Sequence, residues 1–171
     1  EHNIPVSILS KGGKNLLQDS DIFKLFGNNI QIGGSLTFTN NEDSLKWEKN
    51  AALPKERFEI LKIMHDNGIK TWASMEPVIY PDQSLEIMEL TSNYIDAYKI
   101  GKLNHFKKHE EKFDWTKFLT DSVNIMRKNN KEFYIKKDLF EFKEKDLYLS
   151  DNETNMDYLA IPNSRLKLEL F

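Results

Sequence analysis

With 171 residues, 39% hydrophobic, 12% aromatic and 30% charged, the chain has the size and make-up of one ordinary globular domain, which excludes disorder and short-period repeats. No apolar run is long enough to cross a bilayer, and the opening EHNIPVSILSKGG has neither a basic n-region nor a continuous apolar stretch, so the chain reads as cytoplasmic. The absence of cysteine excludes disulfides, thiolate zinc sites and thiolate-held iron–sulfur clusters within these residues, leaving any chemistry here to oxygen and nitrogen groups.

The net charge of -3 is unevenly spread: residues 1–98 hold 9 basic and 14 acidic groups, 99–137 hold 11 and 5, and 138–171 hold 4 and 8. A basic middle segment can attract phosphates, although lysine-rich helix faces are more often simply solvated. Because the chain starts at Glu1 and enters an apolar strand almost at once, it is expected to be a trimmed piece of a longer protein.

In chain order, IPVSIL at 4–9 reads as a strand, followed by a Lys-Gly-Gly turn and a short helix, SDIFKLFG, stopped by Gly27. IQIGGSLTF at 30–38 reads as the second strand, its glycine pair marking a bend or a close backbone approach. A polar loop is expected next, then a helix opened by Pro54 and closed by Gly68, with Phe58, Leu61, Ile63 and Met64 near helical spacing. IKTWASM at 69–75 is the third strand, and a helix follows with Asp82 as its expected N-cap. IDAYKIG at 95–101 is the fourth. A helix capped by Asp114 buries Phe118, Leu119, Val123 and Met126, and EFYIKK at 132–137 is the fifth strand. Beyond Asp138 the pattern is irregular, and SRLKLELF near the end alternates like an edge strand.

Alternating strands and helices predict an α/β fold: a partial (β/α) barrel or an open parallel sheet of about five strands, with an irregular C-terminal tail. The expected division is 1–139 for the barrel portion and 140–171 for an extension. In such folds ligands bind at the carboxyl ends of strands. There stand Ser10 and Lys11; Ser35, Thr37, Thr39 and Asn40; Ser74 and Glu76; Lys99, Lys102 and Asn104; and Lys136 and Lys137. Period-2 geometry puts Ser74 and Glu76 on one side of their strand, and Pro77 ends the pairing, leaving the carboxylate at the rim. Lys11, Lys99 and Lys102 are its candidate partners.

Weaker signals flank these. His105 and His109 have the i, i+4 spacing of a helical metal pair, but the surroundings favour ordinary surface histidines. KGGK at 11–14 follows a strand without the full phosphate-loop spacing. Trp47, Trp72 and Trp115 read as core or rim packing rather than a base-stacking platform, and Arg57 reads as structural.

The ordered set SILSKGG, GGSLTFTNNEDSLKWEKNAALPKERFEILKIMHDNGIKTWASMEPVIYP, IDAYKIGKLNH, FDWTKF and FYIKKDL resembles the later part of radical S-adenosylmethionine (SAM) proteins related to spore photoproduct lyase, the DNA repair photolyase-like group, over about residues 4–139. The resemblance implies a partial (β/α)6 barrel whose first strand precedes Cys-x-x-x-Cys-x-x-Cys. Those thiolates hold a [4Fe–4S] cluster that reductively cleaves SAM to a 5′-deoxyadenosyl radical.

It further implies that this chain begins at the family's third strand and works with an N-terminal half that carries the cluster. Alone it is expected to retain neither cluster nor SAM. Lys11, Ser35 and Thr37 become the cofactor-binding set, Lys11 and Ser35 matching positions that contact the carboxylate and ribose of SAM. A carboxylate needs a cation, and ribose hydroxyls need small polar partners. Ser74, Glu76, Lys99, Lys102 and Asn104 would face the substrate; no metal ligand and no catalytic residue is assigned. The main alternative is a non-catalytic α/β binding module contacting nucleic acid or a partner protein through its basic 99–137 segment. A hydrolase using Glu76 as base is disfavoured, since no nucleophile or metal-ligand set accompanies it.

Overall fold

The computed structural model describes residues 4–155. Five strands, β1 (Val6–Ser10), β2 (Ile30–Ser35), β3 (Lys70–Met75), β4 (Ala97–Ile100) and β5 (Glu132–Ile135), form one sheet in the order β1-β2-β3-β4-β5. Every neighbouring pair is parallel. A doubly wound sheet reverses its strand order at a switch point; this one never does. It is a singly wound arc of a (β/α) barrel.

The connections carry α1 (Ser20–Leu25), α2 (Asn41–Trp47), α3 (Pro54–Asp66), α4 (Pro81–Thr91), α5 (Lys107–Glu110) and α6 (Trp115–Lys128), with α7 (Lys137–Phe140) and α8 (Asp151–Thr154) after the sheet. Register decides the two faces, because partners in a parallel ladder project the same way. Ile32, Ala73, Met75, Tyr98, Ile100, Phe133 and Ile135 point to the helix layer, where they are buried with Leu61, Met64, Met88, Phe118, Leu119 and Met126. The opposite, concave face carries Gly33 beside Trp72 and, one step on, the row Ser35, Ser74, Lys99 and Tyr134.

Helix boundaries follow from their caps. Asp114 accepts a hydrogen bond from the Lys117 backbone at 2.9 Å, starting α6 where expected. Asp82, in contrast, is not an N-cap: α4 begins at Pro81 with Tyr80 as the cap. Proline has no N–H to lose at that position, which leaves Asp82 in the first turn against the helix dipole. The expected polar loop holds α2, capped by Asn40, whose side chain accepts from Asp43 N at 2.9 Å. The spacing of Asn40 and Asp43 was the available signal. On α3 the buried stripe is Ile60, Leu61 and Met64 with Arg57, while Ile63 faces outward.

The expected extent of β2 also changes. It stops at Ser35; Leu36 N still donates to Ser74 O at 3.0 Å, after which the chain leaves the sheet. Leu36 and Phe38 look strand-like because the exiting loop folds into the core. The first turn tightens into a 3-10 segment, Gly13–Asp19, not anticipated from sequence, and Gly27 follows α1 with φ +54°. SRLKLELF lies outside the described residues.

The glycine pair at 33–34 has a steric cause. A Cβ on Gly33 would overlap the Trp72 indole, and one on Gly34 would sit 2.9 Å from Leu61 Cδ1. Gly33 therefore lets the indole lie flat on the concave face. Gly33→Ala should cost about 1–3 kcal/mol, read as a lower urea midpoint, with a changed near-ultraviolet tryptophan signal; an unchanged midpoint would refute the close approach.

Candidate functional site

Trp72 is the floor of the concave face. Lys99 Nζ stands 3.9 Å above its ring centroid, in a cation–π contact, and the lysine is only 6% exposed. Burial, helped by the nearby Lys136 ammonium, pushes the Lys99 pKa down. Ser74 is the register neighbour of Lys99 on β3 and Ser35 the next in the row on β2, and both serines are buried. The Trp72 Nε1 donor is buried without a hydrogen-bond partner, a polar point on an otherwise satisfied floor.

At the rim of β1 and β2, a carboxylate that sequence reasoning missed organises the expected cofactor residues. Glu48, at the end of α2 and 8% exposed, receives Arg57 Nη2 on Oε2 at 2.6 Å. Its Oε1 takes the Lys11 ammonium at 2.5 Å and the Thr37 hydroxyl at 3.2 Å. Arg57 also donates through Nη1 to Ser35 O at 2.8 Å and through Nε to Ala52 O at 2.7 Å. Lys11, Ser35 and Thr37 thus converge through Glu48 and Arg57. Burial works to raise the Glu48 carboxyl, but the hydrogen bonds and charges of Arg57 and Lys11 outweigh it and hold the group below its ordinary value. Beside this cluster opens a pocket of about 490 Å³ lined by Lys11, Gly12, Trp47, Glu48, Asn50 and Ala51.

Glu76 lies across the mouth, and its partner is none of the three lysines expected. It pairs with Lys136, just past β5. Gly101 provides the room: a Cβ there would stand 2.9 Å from the Glu76 carboxyl carbon and 3.2 Å from Lys136 Cδ. Lys11 is held by Glu48, and Lys102 turns to Glu110 at 2.9 Å and lies 5.8 Å from the Trp115 ring centroid. Asn104 donates to Asp138 at 2.8 Å. Glu76 and Lys99 therefore share one neighbourhood through Lys136, whereas the side chains of Lys102 and Asn104 engage the loop and helix partners just named.

The histidines separate. His105 lies outside α5 with φ +71°, while His109 is half-buried among Trp47, Tyr80 and Phe113, its Nε2 2.8 Å from Ile79 O. It is a packing histidine rather than a surface one. No cluster of three or more metal-ligating side chains occurs among the described residues. Trp72 and Trp115 are buried, and Trp47 packs against Phe106 and His109. In the basic segment, Lys102, Lys117, Arg127, Lys128 and Lys136 are ion-paired to acids. That pairing reduces the positive charge the segment presents to phosphates. Among the described residues no helix is long and apolar enough to cross a membrane.

No protein-family model matches the chain. A stretch of 79 residues is 39% identical to the uncharacterized protein MJ0683 of Methanocaldococcus jannaschii, covering 45% of this chain and 29% of that protein. The fold is similar to that of Streptococcus suis SuiB in its crystal structure bound to S-adenosylmethionine, with a TM-score of 0.64 at 14% identity over 87% of this chain and 37% of SuiB. A second SuiB crystal structure gives 0.52 at 13% identity over 87% and 44%. The chain thus spans less than half the length of each protein it matches. At such identity the likeness is one of fold alone.

Two outcomes follow from the ion pairs. Because the folded-state pKa of Glu48 is lowered, its contribution to stability is present above the ordinary value of 4.5 and is lost as pH falls below it. Glu48→Gln should destabilise by about 3 kcal/mol at pH 7, since Arg57 is left buried without its carboxylate, and should flatten the decline in unfolding free energy between neutral and acid pH. An acid limb as steep as wild type would contradict the clamp. The Glu76–Lys136 pair is about a quarter exposed on each side, so a double-mutant cycle with Glu76→Gln and Lys136→Met should give a coupling of about 1 kcal/mol or less.

Proposed function

We propose that this chain is part of a radical SAM enzyme of the spore photoproduct lyase, DNA repair photolyase-like kind, and that it supplies the SAM-side and substrate-side residues of a barrel mouth. The observation that carries the reading is the fold likeness to SAM-bound SuiB over most of the chain; a polar concave face and the strand-end Lys11, paired with Glu48, support it. The shallow, open depression beside Lys11 leaves its ammonium within reach of a ligand.

SAM supplies a 5′-deoxyadenosyl radical when it is reductively cleaved. For the SAM end of that chemistry Lys11 offers a cation to the amino-acid carboxylate and Ser35 a small hydroxyl for ribose, while the buried Thr37, expected in the same set, gives its hydroxyl to Glu48. They do not fit the iron–sulfur cluster, since the chain contains no thiolate. The cluster therefore belongs to a separate N-terminal portion acting as partner. On the substrate side the reading takes Ser74, in register with Lys99 over Trp72, and Glu76, paired with Lys136, with Lys102 and Asn104 further along the exit of β4. DNA is the substrate class that the family resemblance suggests.

Titration calorimetry on the longer protein carrying this chain tests the reading. It should show SAM binding, and Lys11→Met should weaken it about tenfold or more, the worth of one charge-assisted contact, with an unchanged unfolding midpoint. Failure of the unmodified protein to bind SAM would overturn the proposal.

A further inference from the structure

We propose that Glu48 is a positioning residue: clamped by Arg57, it presents the Lys11 ammonium to the pocket beside Trp47 as the receptor for the carboxylate of an amino-acid-bearing ligand. The inference rests on the SAM reading for the identity of that ligand. The placement of Lys11 itself rests on geometry alone.

Charge and exposure divide the three groups into a clamp and a presented cation. Arg57, 4% exposed, spends three separate donors on Glu48, Ser35 O and Ala52 O, and by itself neutralises the Glu48 carboxylate. Oxygen Oε1 also has a neutral donor in Thr37. Lys11 is thus a second cation on a carboxylate already compensated, and the cluster carries one net positive charge. That charge sits on the outermost member, 40% exposed against 8% for Glu48.

The backbone closes the arrangement into a ring. Ala52 N donates to Lys11 O at 2.9 Å, Ala52 O accepts from Arg57, Arg57 holds Glu48, and Glu48 holds Lys11 Nζ. Both ends of Lys11 are therefore tied to the segment joining α2 and α3, whose Glu48, Asn50 and Ala51 line the pocket. A lysine held this way has already lost its rotamer freedom before a ligand arrives, which lowers the cost of binding. One net charge matches a monovalent carboxylate better than a doubly charged phosphate.

The test compares SAM with its decarboxylated analogue on the longer protein carrying this chain, as wild type, Lys11→Met, Glu48→Gln and Glu48→Asp. Wild type should prefer SAM about tenfold or more, and Lys11→Met should erase the preference. Glu48→Gln should also erase it, although that variant has more positive charge at the pocket; a purely electrostatic role would raise the preference instead. Glu48→Asp keeps the charge and withdraws it by one methylene, so it should lose most of the preference even if the glutamine variant is too unstable to assay. Full preference in a folded Glu48→Asp protein overturns the proposal, as does stronger competition by inorganic phosphate than by acetate. A ligand-free readout separates this from the SAM reading. Reductive methylation of Lys11, followed by mass spectrometry, should be several-fold slower in wild type than in Glu48→Asp whether or not SAM binds, and equal rates overturn the positioning role.

Discussion

A carboxylate as buried as Glu48 survives as an anion only if cations and donors surround it, and this requirement organises the rim of the molecule. Satisfying it recruits the end of β1 through Lys11, the exit of β2 through Ser35 O and Thr37, and the start of α3 through Arg57. The ends of the paired strands β1 and β2 are thereby fixed to α2 and α3, with which they share no regular hydrogen-bonding pattern. Local order at the strand ends is a by-product of charge compensation. The pocket inherits its shape from the same source, since the Glu48 backbone also leads into the turn that forms its wall.

The second constraint is geometric. A singly wound arc has an apolar convex side covered by helices and a concave side that cannot be filled by another layer. Here Trp72 occupies that concavity, Gly33 makes space for it, and Lys99 uses its ring face as a low-polarity seat for an ammonium. Serines 35 and 74 then continue the row in register on the β2–β3 side of Lys99. The result is a polar lining resting on an aromatic base. Such a surface can orient a ligand while excluding bulk water, and it occurs on a fold shared with a protein crystallised with SAM.

How much of this was readable from the chain depends on the distance over which each feature is decided. Strands and helices are set by local periodicity, and all five strands and the helix of residues 115–128 occur where alternation and Asp114 put them, apart from β2 ending early at Ser35. Parallel pairing followed from the crossover lengths. The partners of charged groups were not legible, because they depend on which strand tips meet in space. Glu76 and Lys136 lie 60 positions apart, and their pairing depends on the missing side chain of Gly101. Glu48 stands in a polar stretch without apolar periodicity, and only the turn of α2 carries its side chain into a buried position. Arg57 was read as structural, and it is, yet the same contacts let it govern Lys11.

The strand order has one more consequence. Among the described residues β1 has a single neighbour, β2, while at the far end α8 packs against β5. The first strand is also the only one of the five without a fully buried residue, and Leu9 on it is 48% exposed on the side that faces the concavity. A border strand of this kind offers a ladder of amides and carbonyls ready for another extended segment. An extended segment that reached this border could lengthen the sheet by main-chain pairing, a geometry open to a second copy of the chain as well.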